Sequence, residues 1–152
     1  MKLYLDTCCY NRPYDDQTQE RIHLEGEAVL AIINKQEQNN NEIIGSPVLD
    51  FEIGQIENIE KQEKVKNFYT QTISKRAEYN INIFKRVKEL SEQTKIRTLD
   101  RFHLSFAENT GAEVLLTTDD KFEKACSEIN LKIEVKNPLD FILEDTRNER
   151  DN

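Results

Sequence analysis

The sequence predicts an α/β fold built on a parallel sheet covered by helices. Two observations carry this expectation. Short apolar runs at Leu3-Tyr4-Leu5, Ile43-Ile44 and Val114-Leu115-Leu116 read as buried strands. Between them lie longer segments whose apolar residues recur at helical spacing. Strands alternating with helices imply parallel pairing through right-handed crossovers. Ligands of such sheets bind outside the carboxyl ends of the strands.

The elements follow in order. Lys2 to Asp6 is a strand, stopped by Asp6-Thr7. Residues 8–16 read as a loop, marked by Asn11-Arg12-Pro13 and Asp15-Asp16. A helix over 18–35 aligns Ile22, Gly26, Val29, Leu30 and Ile33. After the Asn39-Asn40-Asn41 loop, Glu42 to Gly45 forms a second strand. Ser46-Pro47 places a capping side chain before a proline at the first helical position. The helix it opens, to about Asn58, carries Glu52. A helix over 62–73 gathers Val65, Phe68, Tyr69 and Thr72 on one face. Within 78–83 the alternation of Tyr79, Ile81 and Ile83 favours a short strand, ahead of a helix over 84–93. Thr98 caps a helix that buries Leu99, Phe102, Phe106 and Ala107 and stops at Gly111. A strand at 113–116, a helix at 120–129, a strand at 132–135 and a short helix at 138–143 complete the pattern.

At 152 residues, a single domain over residues 1–143 is expected, followed by a polar tail over 144–152. The hydrophobic share is 37% and the charged share 33%, so helices with thin apolar stripes are expected. No stretch approaches the ~20 apolar residues that span a bilayer. The amino-terminal residues also lack the apolar run of a signal peptide. A cytoplasmic protein without a membrane partner is expected. Cys8, Cys9 and Cys126 have no zinc-site spacing and read as reduced, buried thiols. The net charge of -8 argues against a general nucleic-acid coat protein. It is unevenly spread, because residues 61–103 hold eleven Lys and Arg against five acids. That basic middle reads equally as a phosphate-binding face or as solvated helix surface with pairs such as Lys85 and Glu89.

Four acids stand where a metal site needs them. Asp6 and Asp119 follow strands, Asp100 lies in the first turn of a helix, and Glu52 lies in the helix after Ser46. Carboxylates gathered at one sheet edge bind Mg²⁺ or Mn²⁺, and such ions serve phosphodiester hydrolysis. Without a cation the same carboxylates repel one another. Each acid also has an ordinary role open to it. Asp6 and Asp119 suit helix or loop caps, Asp100 a helix dipole, and Glu52 an exposed face. Thr7, Thr117 and Thr118 are placed to hydrogen-bond carboxylate ligands from behind. His103, one turn after Asp100, reads as a packed histidine ahead of a metal ligand. Asn11 and Arg12 lie close enough to Asp6 to touch a phosphate or to stabilise their own loop.

Taken together, these segments resemble PIN-domain proteins of the kind seen in VapC-type toxins. The matching residues are Leu3-Tyr4-Leu5-Asp6-Thr7, Ser46 through Glu52-Ile53, Asp100-Arg101-Phe102-His103-Leu104-Ser105-Phe106-Ala107, and Leu116-Thr117-Thr118-Asp119-Asp120-Lys121-Phe122. The resemblance extends over residues 2–143. It implies a three-layer α/β/α sandwich and a metal-dependent ribonuclease with Asp6, Glu52, Asp100 and Asp119 as its acidic positions. It further implies RNA as substrate, 5′-phosphate and 3′-hydroxyl products, a homodimer, and a small antitoxin that enters the acidic groove. Where family members often carry small residues after the third acid, this chain has Arg101 and Phe102. With the overall acidity, that departure motivates a second reading, a weak or inactive interaction module on the same fold. Phosphoryl transfer through an aspartyl intermediate ranks last, because such sites usually want a second Asp two residues after the first and Cys8 stands there.

Overall fold

Leu3, Tyr4 and Leu5 are all completely buried. Successive strand residues point to opposite faces, so both faces of this strand are covered, which requires a helical layer on each side. The computed structural model describes residues 1–151. It contains β1 (Lys2–Leu5), α1 (Thr7–Asn11), α2 (Glu20–Gln38), β2 (Glu42–Gly45), α3 (Pro47–Gly54), α4 (Ile59–Thr72) and β3 (Lys75–Arg76). It continues with α5 (Ile81–Gln93), α6 (Thr98–Asn109), β4 (Val114–Leu116), α7 (Asp120–Ser127), β5 (Glu134–Lys136) and α8 (Pro138–Asp151). The five strands are all parallel and ordered β3-β2-β1-β4-β5. The expected α/β architecture with its parallel sheet is therefore present.

Strand order reverses at β1, since β2 lies on one side of it and β4 on the other. That switch point opens a crevice at the carboxyl ends of β1 and β4. Leu5 pairs with Leu116, and the Asp6 amide donates to the Leu116 carbonyl at 2.9 Å. Asp6 and the Thr117-Thr118-Asp119 turn are thus brought level by the register alone.

Three expected elements differ. The predicted loop after Asp6 begins as α1, because the Asp6 side chain caps it at the Thr7 amide. A single 3-10 turn, Arg12–Tyr14, follows with Pro13 near its start. The predicted strand near Tyr79–Ile83 is not formed. Asn80 instead caps α5 by accepting from the amides of Asn82 and Ile83, and the alternation reflects exposed Tyr79 and Ile81 beside buried Ile83. The strand in this region is Lys75–Arg76, paired with Ile44 and Gly45. The closing helix also runs past Leu143 to Asp151. Ion pairs from Lys35 to Asp145 and Glu149, and from Lys136 to Glu144, tie it down.

Gly45 ends β2 where a side chain has no room. A Cβ there would lie 2.5 Å from Ile73 Cδ1 and 2.8 Å from the Tyr69 hydroxyl. That closeness lets the Tyr69 hydroxyl accept from the Ser46 amide at 3.1 Å, fixing the turn that launches α3.

A buried carboxylate ties α2 to the Arg12–Tyr14 turn and to the residue before α8. Glu25 on α2 is fully buried. Its carboxylate accepts from Arg12 Nε at 3.0 Å, Arg21 Nε at 3.3 Å and Asn137 Nδ2 at 2.6 Å. Arg12 is therefore committed to ion pairs within the fold, with Glu25 and Asp15. Removing the Glu25 carboxylate takes an acceptor from Asn137 and from two arginines that keep Asp15 and Asp120 as partners, which costs about 1–3 kcal/mol. Glu25→Ala is expected to lower the unfolding free energy by that amount in urea titration. Glu57→Ala, on an exposed turn, is expected to stay within about 0.5 kcal/mol of the unaltered protein.

Candidate metal centre

Asp6 is held from three sides at the end of β1. Its Oδ1 accepts from the Thr7 amide at 2.8 Å, and Oδ2 accepts from Thr117 Oγ1 at 2.8 Å and Cys8 Sγ at 3.4 Å. Only 6% of the residue is exposed. The hydrogen bond expected from Thr117 to a carboxylate is formed, to Asp6. Cys8, half-buried, also accepts from the Thr118 amide, while Cys9 and Cys126 are buried thiols.

Asp100 reaches the same crevice from the first turn of α6 and is 4% exposed. Among the described residues, Asp6, Asp100 and His103 form a group whose donor atoms all lie within 4.8 Å of one another. His103, one helical turn beyond Asp100, is completely buried. Its ring meets that of Tyr4 edge-on, with centroids 5.6 Å apart.

Glu52 is brought in by side-chain contacts. The Ser46 hydroxyl caps α3 at the Leu49 amide, which points the helix toward α1 and α6. Glu52 Oε1 accepts from Thr7 Oγ1 at 3.1 Å and hydrogen-bonds His103 Nε2. Asp119 stands at the rim. Its Oδ1 caps α7 by accepting from the amides of Lys121 and Phe122, so the capping role open to it from sequence is realised. With Asp100 it lines an open cleft of about 790 Å³, whose wall also includes Lys95, Arg97 and Lys121. Asp6 and Asp100 are therefore brought together, Glu52 is joined to them through His103, and Asp119 borders the same cleft outside the tight group.

Arg97 was not singled out among the basic residues of the sequence. It precedes Asp100 by three positions, a spacing that allows pairing on a helix. Its Nε and Nη2 grip both oxygens of Asp100 at 3.0 and 2.9 Å, and Nη2 lies 3.8 Å from Glu52 Oε2. The charges respond accordingly. Burial pushes the Asp100 carboxyl up, and the nearby Asp6 charge adds to this against the opposing pull of Arg97. Burial also pushes Glu52 up, but the His103 bond and charge, with Thr7 and Arg97, hold it below its ordinary value. For His103, burial favours the neutral ring, yet Glu52 and Asp6 together raise its pKa.

The bulky pair after Asp100 turns away from the cleft. Arg101 donates to the Ile96 carbonyl at 2.7 Å and to Thr98 Oγ1 at 3.0 Å. Phe102 packs edge-on against Tyr79 and Phe84. Asp50 pairs with Arg76 and Asp120 with Arg21, so neither faces the group.

The fold is shared with known proteins. Among solved structures, VapBC-1 from nontypeable Haemophilus influenzae aligns at 15% identity and a TM-score of 0.59, covering 91% of this chain and 98% of that one. FitAcB from Neisseria gonorrhoeae aligns at 14% identity and 0.58, covering 90% and 97%. VapBC2 from Rickettsia felis, bound to a DNA fragment from their promoter, aligns at 15% identity and 0.57, covering 90% and 98%. At these identities the likeness is one of fold. No curated protein sequence matches the chain. The model of the PIN domain matches residues 3–128, from the first strand to the end of α7, and the chain belongs to the PIN domain family.

Proposed function

We propose that the protein is a Mg²⁺- or Mn²⁺-dependent endoribonuclease and the toxin of a toxin–antitoxin pair. The observation that carries this reading is the buried approach of Asp6 and Asp100 at the sheet's switch point, with Asp100 lining a cleft whose mixed-charge wall includes Lys95, Arg97 and Lys121 beside Glu92 and Glu128. The oxygen donors there suit a hard divalent ion. The chemistry such an ion supplies is stabilisation of charge on the phosphate and a lowered pKa for water.

The residues of the chain divide the remaining work. Asp6 and Asp100 would hold the ion, and Asp119, with one oxygen outside its cap, would complete the set from the rim. Glu52, held as a carboxylate with Oε2 turned toward Arg97 on the cleft wall, would bind the ion directly or through water, or orient the attacking water. Lys95, Arg97 and Lys121 would receive the RNA backbone, since phosphate contacts dominate such affinity. Cleavage on this reading leaves 5′-phosphate and 3′-hydroxyl ends. A small antitoxin reaching into the same cleft is the expected protein partner, a reading supported by the VapBC complexes of like fold. A homodimer belongs to the same reading. The exposed Tyr79–Phe84 stack, with ring centroids 5.5 Å apart, offers it an apolar face.

Three outcomes test this. Mn²⁺ is expected to raise the thermal unfolding temperature of the unaltered protein, gaining about 2.7 kcal/mol at a hundredfold excess over Kd. Asp6→Asn and Asp100→Asn are expected to lose that response. The purified protein is expected to cut RNA with Mg²⁺ or Mn²⁺ and not with EDTA. Asp6→Asn should slow it by more than the ~10–100-fold that changes behind metal ligands cost, and should relieve growth arrest on expression. Equal cleavage by Asp6→Asn would refute the nuclease reading. Phe84→Glu is expected to shift the light-scattering mass from dimer to monomer.

A further inference from the structure

A buried file of polar groups runs behind the metal centre. The Ser46 hydroxyl lies 2.7 Å from the Tyr4 hydroxyl, which lies 2.6 Å from His103 Nδ1. All three residues are completely buried. On the far side of the ring, His103 Nε2 meets Glu52 Oε1 and lies 3.5 Å from Asp6 Oδ1. The function proposed above assigns this histidine no role.

The proton count decides which nitrogen of the ring is free. In one direction Ser46 donates to Tyr4 and Tyr4 donates to Nδ1, so every proton has an acceptor. In the other, Nδ1–H donates to Tyr4, Tyr4 donates to Ser46, and the serine proton is left without one. The other neighbour of Ser46 Oγ is the Leu49 amide, which is itself a donor. Leaving a buried donor unsatisfied costs its full desolvation, so the first direction prevails. Burial also keeps the Tyr4 phenol protonated. The neutral ring then carries its proton on Nε2, facing the carboxylates. If the ring takes a second proton, Nε2 still carries one. In neither state does Nε2 offer a lone pair to a cation.

We infer that His103 is a positioning residue and not a metal ligand: locked by the Ser46–Tyr4 file, it donates through Nε2 to Glu52 Oε1. Thr7 bonds the same oxygen at 3.1 Å. With Oε1 held twice, Oε2 is turned toward Arg97 on the cleft wall, 3.8 Å away. The inference rests on the metal-site reading for the purpose of this orientation, but the direction of the file stands without it.

Nitrogen-15 spectra of the metal-free protein, with His103 identified by its loss in His103→Gln, are expected to show a pyrrole-like Nε2. A pyridine-like Nε2 would overturn the inference. Pulsed EPR of the Mn²⁺-loaded protein is expected to show no directly bound imidazole nitrogen. A strong nitrogen coupling that vanishes in His103→Gln would overturn it as well. His103→Gln is expected to keep the Mn²⁺ Kd within about threefold while cleavage falls ~10–100-fold, the range for groups that orient ligands. Loss of Mn²⁺ binding in His103→Gln as complete as in Asp100→Asn would overturn it too. Failure of the unaltered protein to bind Mn²⁺ would instead sink the proposed function, and the nitrogen spectrum would still decide the direction of the file.

Discussion

Two carboxylates buried within reach of each other at the end of the central strand impose the main constraint on this molecule. Like charges taken out of water repel strongly, and each also loses hydration. The polar structure around Asp6 and Asp100 answers that cost group by group. The first amide of α1 and the Thr117 hydroxyl donate to Asp6, and the Arg97 guanidinium spans Asp100. The donors come from α1, from the residue after β4 and from the residue before α6, so the site is a joint where those elements meet the end of β1. The parallel register makes that joint possible, because Leu5 and Leu116 end level.

Much of this was legible along the chain, and what was not has physical causes. The apolar runs of β1, β2 and β4 announce themselves because central parallel strands are buried on both faces. β3 does not, since its two residues, Lys75 and Arg76, are exposed and carry no apolar pattern. α1 is five residues long, too short for periodicity to register, and its one signal is the cap supplied by Asp6. The length of α8 depends on Lys35, more than a hundred positions earlier. No local pattern reports such a partner.

The acidic set divides in the same way. Asp6 and Asp119 could be placed by strand ends alone, whereas Glu52 and Asp100 needed the family resemblance. His103 was read as a packed histidine, and it is packed. What the sequence could not express is that its two nitrogens face different worlds, a buried hydroxyl file on one side and carboxylates on the other. That arrangement depends on how α6 lies across β1, which spacing within α6 does not encode. Tyr4 illustrates the same point. It belongs to an apolar run and packs like one, yet its hydroxyl connects the cap of α3 to the ring on α6.

Arg97 shows how two neighbouring buried carboxylates can exist in a folded chain. Its side chain is two-thirds exposed, while the Asp100 carboxylate it grips is 5% exposed. An exposed guanidinium is easily exchanged for water, and its attraction is screened by salt. It therefore neutralises Asp100 without sealing it. The contrast with Glu25 is instructive. That carboxylate is also buried and also meets arginine, but it has three partners, Arg12, Arg21 and Asn137, which between them take both of its oxygens. One buried acid is enclosed by partners and serves the fold. The other is covered by a single arginine standing in the cleft wall, so Asp100 lines the cleft while its charge is met from the solvent side.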